Sequence, residues 1–185
     1  MELVWEQYFT DHFQMTVSGF YYPIRSLISE QVDPNGEAFF GNARSLNLRG
    51  LDFGLSRSLQ DGVEGTVSYT FQDGIDPSTG MGVTNSPKHL IQASLGVPVI
   101  RQKVFASMDL QYLSNRETLA GQYSRAYTVT NFTLFSRNVF KGWEVSAGLY
   151  NAFNKKFADP DGNGLAEDVI SQDGRTFRVK IGYRY

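Results

Sequence analysis

The chain contains no cysteine, only two histidines and no run of basic residues among its 185 positions. Without cysteine it has no disulfide, no thiolate nucleophile and no sulfur-ligated zinc centre, and two histidines are too few for an imidazole-rich metal site. The lack of thiols leaves the redox compartment open. Lys and Arg number 17 against 19 Asp and Glu, a net charge of −2. Neutralising phosphates requires a concentrated basic face, so nucleic acid is excluded as the main partner. Long hydrophobic runs are missing too. The longest uncharged apolar stretch, Leu90 to Ile100, has eleven residues, whereas a membrane helix requires about 18 to 20. Glu2 and Glu6 stand where a secretory signal would carry positive charge ahead of an apolar core, so no export address is expected at this start. No low-complexity linker or fixed-period repeat divides the chain.

Apolar and aromatic residues are plentiful, at 41% and 14%, which excludes a disordered chain. Their spacing is the strongest signal. Val67, Tyr69 and Phe71 alternate with Glu64, Thr66, Ser68, Thr70 and Gln72, and Trp143, Val145, Ala147 and Leu149 alternate with Glu144 and Ser146. In the final run Phe177, Val179, Ile181, Tyr183 and Tyr185 alternate with Arg178, Lys180, Gly182 and Arg184. A period of two places successive side chains on opposite faces of a strand. Breaks at Gly, Pro, Asn and Asp clusters then predict nine strands, near 2–9, 13–32, 37–57, 62–73, 88–97, 103–114, 124–137, 142–152 and 173–185. The expected fold is an all-β, antiparallel up-and-down meander.

Short connections at Thr10–His12, Gln60–Asp61, Pro98–Gln102 and Asn138–Lys141 alternate with longer ones at 74–87, 115–123 and 153–172. The turn at Asp33–Gly36 breaks this rhythm, but strands of about twenty residues flank it, so its tip should project beyond the others. Tight turns on one side and long loops on the other are the habit of outer-membrane β-barrels. Aromatics near strand ends, Trp5, Phe9, Phe13, Phe71, Trp143 and Tyr185, suit two interfacial girdles. The competing architecture is a soluble β-barrel or sandwich binding a small apolar ligand or a glycan, but faces bearing Arg178, Lys180 and Arg184 are too polar for its core. A closed bacterial barrel has an even number of strands; nine therefore suggest the end of a larger barrel.

Four stretches resemble the C-terminal part of the β-barrel of TonB-dependent outer-membrane receptors. They are ELVWEQYF at 2–9 with FYYPIRSLI at 20–28, TNSPKHLIQASLGVP at 84–98, LYNAFNKKFADP at 149–160 and QDGRTFRVKIGYRY at 172–185. The resemblance implies a bacterial outer-membrane home and energised uptake of a scarce nutrient such as an iron–siderophore chelate or cobalamin. It further implies contact with outer-membrane lipid, recognition by the barrel-assembly machinery, and TonB and a plug domain as partners in the full-length parent. Residues 1–185 are expected to be barrel alone, without plug or signal peptide, and so not competent for transport by themselves. No cofactor and no enzymatic activity are expected.

Few residues suggest a site. Phe177, Tyr183 and Tyr185 would form the terminal strand that an assembly machine captures by strand addition. Asp159, Asp161 and Asn163 have the alternating oxygens of the first half of a calcium loop, with Glu167 and Asp168 nearby. The twelfth position, which needs a bidentate Glu, is Ile170, and a solvated turn-rich loop explains the same letters. Ser86 and His89 are close in sequence, but no nucleophile elbow surrounds the serine and Pro87 extends it. Arg49, Arg57, Arg178, Lys180 and Arg184 are expected to face a lumen that also holds Glu6, Asp52, Glu64 and Asp109, where opposite signs pair across neighbouring strands or with the plug, the competing role for the cations being selection of anionic cargo.

Overall fold

The computed structural model describes residues 1–32, 38–58, 62–100, 103–137, 141–161 and 167–184. They form strands β1 (Glu2–Thr10), β2 (Phe13–Val32), β3 (Ala38–Ser58), β4 (Glu64–Ile75), β5 (His89–Ile100), β6 (Val104–Leu113), β7 (Arg116–Glu117), β8 (Tyr123–Ser124), β9 (Tyr127–Arg137), β10 (Trp143–Tyr150), β11 (Ala158–Pro160), β12 (Val169–Ser171) and β13 (Thr176–Tyr183). Nine of them make one sheet, each antiparallel to its chain neighbour, in the order β1-β2-β3-β4-β5-β6-β9-β10-β13. The nine-stranded meander expected from alternation is therefore present. The pairs β7–β8 and β11–β12 lie in two of the long connections. With two or three residues each, they are too short to show any alternation.

Side-chain parity carries across the sheet and gives it two unlike faces. Thr66, Ser94, Asp109 and Asn131 are in register across β4, β5, β6 and β9, forming a polar row. Leu95, Met108, Phe132, Leu149 and Phe177 form an apolar row on the other face. On the polar face Asp52 accepts hydrogen bonds from Thr70 Oγ1 at 2.6 Å and Ser18 Oγ at 3.4 Å, while Arg184 pairs with Glu144 at 3.4 Å.

Two of the five cations expected in the lumen are elsewhere. Arg49 and Arg57 have the opposite parity to Asp52 and share the apolar face with Leu51, Phe53 and Leu55. The leucine pattern changes phase in β3, because Leu46 and Leu48 fall on the polar side while Leu51 and Leu55 fall on the apolar side. On that face Arg49 and Arg57 bracket the uncharged apolar strip Leu51, Phe53 and Leu55. Eight residues at about 3.3 Å each span about 26 Å, the reach of a tilted strand through a bilayer. Parity keeps Arg178, Lys180 and Arg184 on the polar face, with Arg178 over the Tyr150 ring at 5.1 Å.

At the short-turn end of the sheet aromatics come together on the apolar face. Phe9 stacks on Phe13 at 5.1 Å and Trp143 meets Tyr183 at 5.1 Å. Gly142 at that turn has φ +79, and a Cβ would lie 2.6 Å from Arg184 O, so only glycine fits. Trp5 sits five residues above the first turn, mid-strand rather than in a girdle. At the other end β2 and β3 continue as a two-stranded ribbon beyond β4, whose pairing with β3 stops at Asn47. The expected tip at Asp33–Gly36, the turn Gln60–Asp61, most of Asn138–Lys141, Asn163 and Tyr185 lie outside the described residues.

An apolar core is nearly absent. The only buried hydrophobic residues among those described are Leu113, Tyr127 and Ala152. The chain exposes 13200 Å², against about 9,000 Å² for a compact monomer of its mass.

Candidate functional site: the outer loop cluster

Three connections emerge from the same end of the sheet: residues 76–88 between β4 and β5, 114–126 between β6 and β9, and 151–175 between β10 and β13. Asparagine fastens the base of the third. Asn151 has φ +47, a left-handed conformation that Asn tolerates better than most residues. Its Nδ2 donates to Lys155 O at 2.9 Å and Asp173 O at 3.1 Å, while its Oδ1 accepts from Lys155 N–H at 2.7 Å. Asn154 Oδ1 accepts from Arg175 N–H at 3.0 Å. The segment LYNAFNKKF is thus a clamp that holds both ends of a long loop together.

The first loop is spliced to its neighbours residue by residue. Asn85 N–H donates to Glu117 O at 2.8 Å, and its Oδ1 accepts from the Arg116 guanidinium at 3.3 Å. Gln72 Nε2 donates to Ser86 Oγ and Pro87 O, both at 3.1 Å. His89 N–H donates to Ser114 Oγ at 3.1 Å, and the ring Nδ1 lies 2.9 Å from the Tyr69 hydroxyl. Ser86 and His89 therefore serve separate partners.

Loops two and three dock through buried polar groups. Arg116 is buried, pairs with Asp159 and lies over the Tyr127 ring at 5.7 Å. The Tyr127 hydroxyl donates to Asp159 at 3.1 Å, and its ring packs on Phe157 at 4.2 Å. Thr118 Oγ1 and the Ala120 N–H donate to the two Asp168 oxygens at 2.5 and 3.3 Å, and Ser124 Oγ donates to Ala158 O at 2.6 Å. Of the candidate calcium ligands, Asp159 and Asp161 are in this network together with Asp168. Asp159 faces a guanidinium, Asp168 a hydroxyl and an amide, and the buried Asp161 donates its N–H to Asp168 O at 3.0 Å.

Between the first two loops and the upper ends of β2 and β3 is a cleft of about 590 Å³, lined in part by Leu27, Leu46, Asp76, Met81, Glu117 and Leu119. A second cavity of about 390 Å³ lies beside it, against Gln72, Lys88, Glu117 and Tyr123. Apolar walls with two carboxylates can hold a ligand that has an apolar body and hydrogen-bond donors. Sequence reasoning missed Asp76, Met81 and Glu117. No motif marks them, and only loop docking brings them together. The terminal-strand candidates Phe177 and Tyr183 are on the apolar face of β13, which pairs with β10 alone among the described strands.

The sequence matches the family described as TonB dependent receptor-like, beta-barrel, over residues 1–152. This chain belongs to that family. Its members are transport receptors rather than enzymes, their barrels are bacterial outer-membrane proteins, and full-length members have a plug and work with TonB. Solved structures share the fold. The copper transporter OprC is 18% identical with a TM-score of 0.76 over 100% of this chain and 31% of its own. The siderophore receptor PiuA from Acinetobacter baumannii gives 16%, 0.74, 100% and 28%, and the FrpB iron transporter (F3-3 variant) from Neisseria meningitidis 15%, 0.75, 98% and 30%. The chain therefore spans under a third of those structures. Comparison with curated proteins found no match.

Proposed function

We propose that this chain is a wall segment from the C-terminal portion of an outer-membrane receptor barrel, serving energised uptake of a scarce nutrient of the iron–siderophore or cobalamin class. The observation that carries this reading is the exposed apolar face with almost no core behind it. Such a face is stable only against lipid or another protein surface. The polar face suits a hydrated lumen or the plug of the parent receptor, and the outer cleft at Asp76, Met81 and Glu117 suits first contact with cargo. Iron is favoured over cobalamin by the names of PiuA and FrpB. TonB would couple energy through the parent's other domains. Phe177, Tyr183 and Tyr185 would present the closing edge to the assembly machinery.

Partition of the refolded chain between detergent micelles and plain buffer tests this. The expected result is a detergent-bound β-structured species that aggregates when detergent is removed. A monodisperse, folded protein in buffer alone would refute it and restore the soluble barrel or sandwich.

A further inference from the structure

The position of Arg49 brings charge to a face that has little of it. Asp73, 13% exposed in its side chain, sits between two cations: Arg49 Nη2 is 3.0 Å from Oδ2 and Lys88 Nζ is 2.9 Å from Oδ1. Both cations remain about two-thirds exposed, at 65% and 64%. One carboxylate offsets one positive charge, so the trio keeps a surplus of +1 and several unused N–H donors.

Height along the wall identifies what that surplus meets. Arg49 is in register with Tyr21 and Asp73, and on the same face Leu51 and Phe71 lie two residues closer to the middle of the sheet. The charges therefore stand about 7 Å beyond the Leu51–Phe71 row. Beside that row Phe71 packs against the His89 ring at 5.4 Å, and the Tyr69 hydroxyl reaches up from two residues below to lie 2.9 Å from His89 Nδ1, so polar aromatic tips gather at this level as they do at the interface of a barrel. The cation pair is thus at headgroup height, with the exposed Tyr21 level with it and the exposed Leu51 beginning the apolar strip beneath.

We infer that Arg49 and Lys88, clamped by Asp73 at the outer rim of the apolar face, bind the phosphate of an anionic lipid headgroup whose acyl chain lies along Tyr21 and Leu51. The inference rests on the outer-membrane reading above. A guanidinium offers paired donors to phosphate, and an adjacent ammonium adds a point charge. The apolar strip selects a lipid over a free anion, because only a lipid satisfies both halves.

The receptor polypeptide carrying this sequence is placed in bilayer discs of phosphatidylcholine with a minor share of phosphatidylglycerol, and tightly held lipid is measured by native mass spectrometry. Phosphatidylglycerol should be enriched. R49Q/K88Q should reduce the enrichment about twenty-five-fold, at roughly fivefold per cation, while Arg57→Gln at the opposite rim leaves it unchanged. Asp73→Asn removes the acid and keeps both cations, so enrichment should rise; this decides the matter if the double variant does not fold. Entry into the discs with no preference between the lipids overturns the inference and leaves the membrane reading standing. Failure to enter any disc overturns both. Displacement of phosphatidylglycerol by millimolar inorganic phosphate would overturn the lipid assignment and leave a site for the free anion.

Discussion

In the wall, Ile181 stands 63% exposed beside Val179 and Tyr183, whereas in the outer loops Thr118 is 1% exposed beside Arg116 and Ser124. Burial is inverted between the two regions. Apart from Ser18, the buried side chains among the described residues are in the loops or at the strand ends that carry them. The wall leaves its apolar residues exposed, so on the proposed membrane reading its side chains are tested only when lipid is present. The loops bury polar groups against each other and satisfy most of them internally, Arg116 Nε being the buried exception among the described residues, so removing a partner there costs free energy directly. A substitution should therefore act through different solvents in the two regions.

The strongest way to break this comparison is Val179→Arg. Val179 is in register with Ala147 and Leu134 in the middle of the apolar face, where an arginine costs about 2–4 kcal/mol of folding into a bilayer. Heat-modifiable gel shift of the barrel in lipid vesicles should show the folded band weaken; full folding would mean that the apolar face does not meet hydrocarbon.

In the loops, Asp159→Ala should cost about 2 kcal/mol, because it leaves the buried Arg116 guanidinium without its carboxylate. The effect should be local. Hydrogen exchange ought to rise in residues 116–124 and stay unchanged in β9 and β10, and an Arg116→Met/Asp159→Leu pair should recover much of the loss. Equal exchange throughout the sheet would show that loops and wall are a single cooperative unit.

The smallest effect is expected at Lys180, one residue from Val179 on the polar face opposite Ser146. Lys180→Leu should change folding by under about 0.5 kcal/mol in the same gel assay. If it is the more damaging of the two neighbours, the faces are exchanged.

Alternation made most of the wall legible. Phe177 to Tyr183 and Val67 to Phe71 declare their strands and faces because side-chain direction repeats every two residues whatever the strand pairs with. Gly142, expected at the start of a strand, belongs instead to the turn before β10, where its backbone conformation leaves one residue type. Charge assigns Arg49 and Arg57 to the lumen, whereas parity in β3 sets them on the apolar face. Outside the apolar band polar residues occupy either face, so Leu46, Leu48 and Arg49 no longer report which side they are on. Asn151 was quoted within a motif, but its role as a clamp needs Asp173, 22 residues away.

Composition and period by themselves determined that this protein is all-β, that it meanders, and where nearly every sheet strand runs, since those properties depend on neighbours along the chain. Tertiary structure alone decided that Asp73 gathers Arg49 and Lys88 from β3 and the edge of β5, that Asp159 answers Arg116 across 43 residues, and that Asp76 and Glu117 share a cleft. Those meetings depend on strand register and loop docking, which are settled by contacts between distant segments and leave no periodic trace in either one.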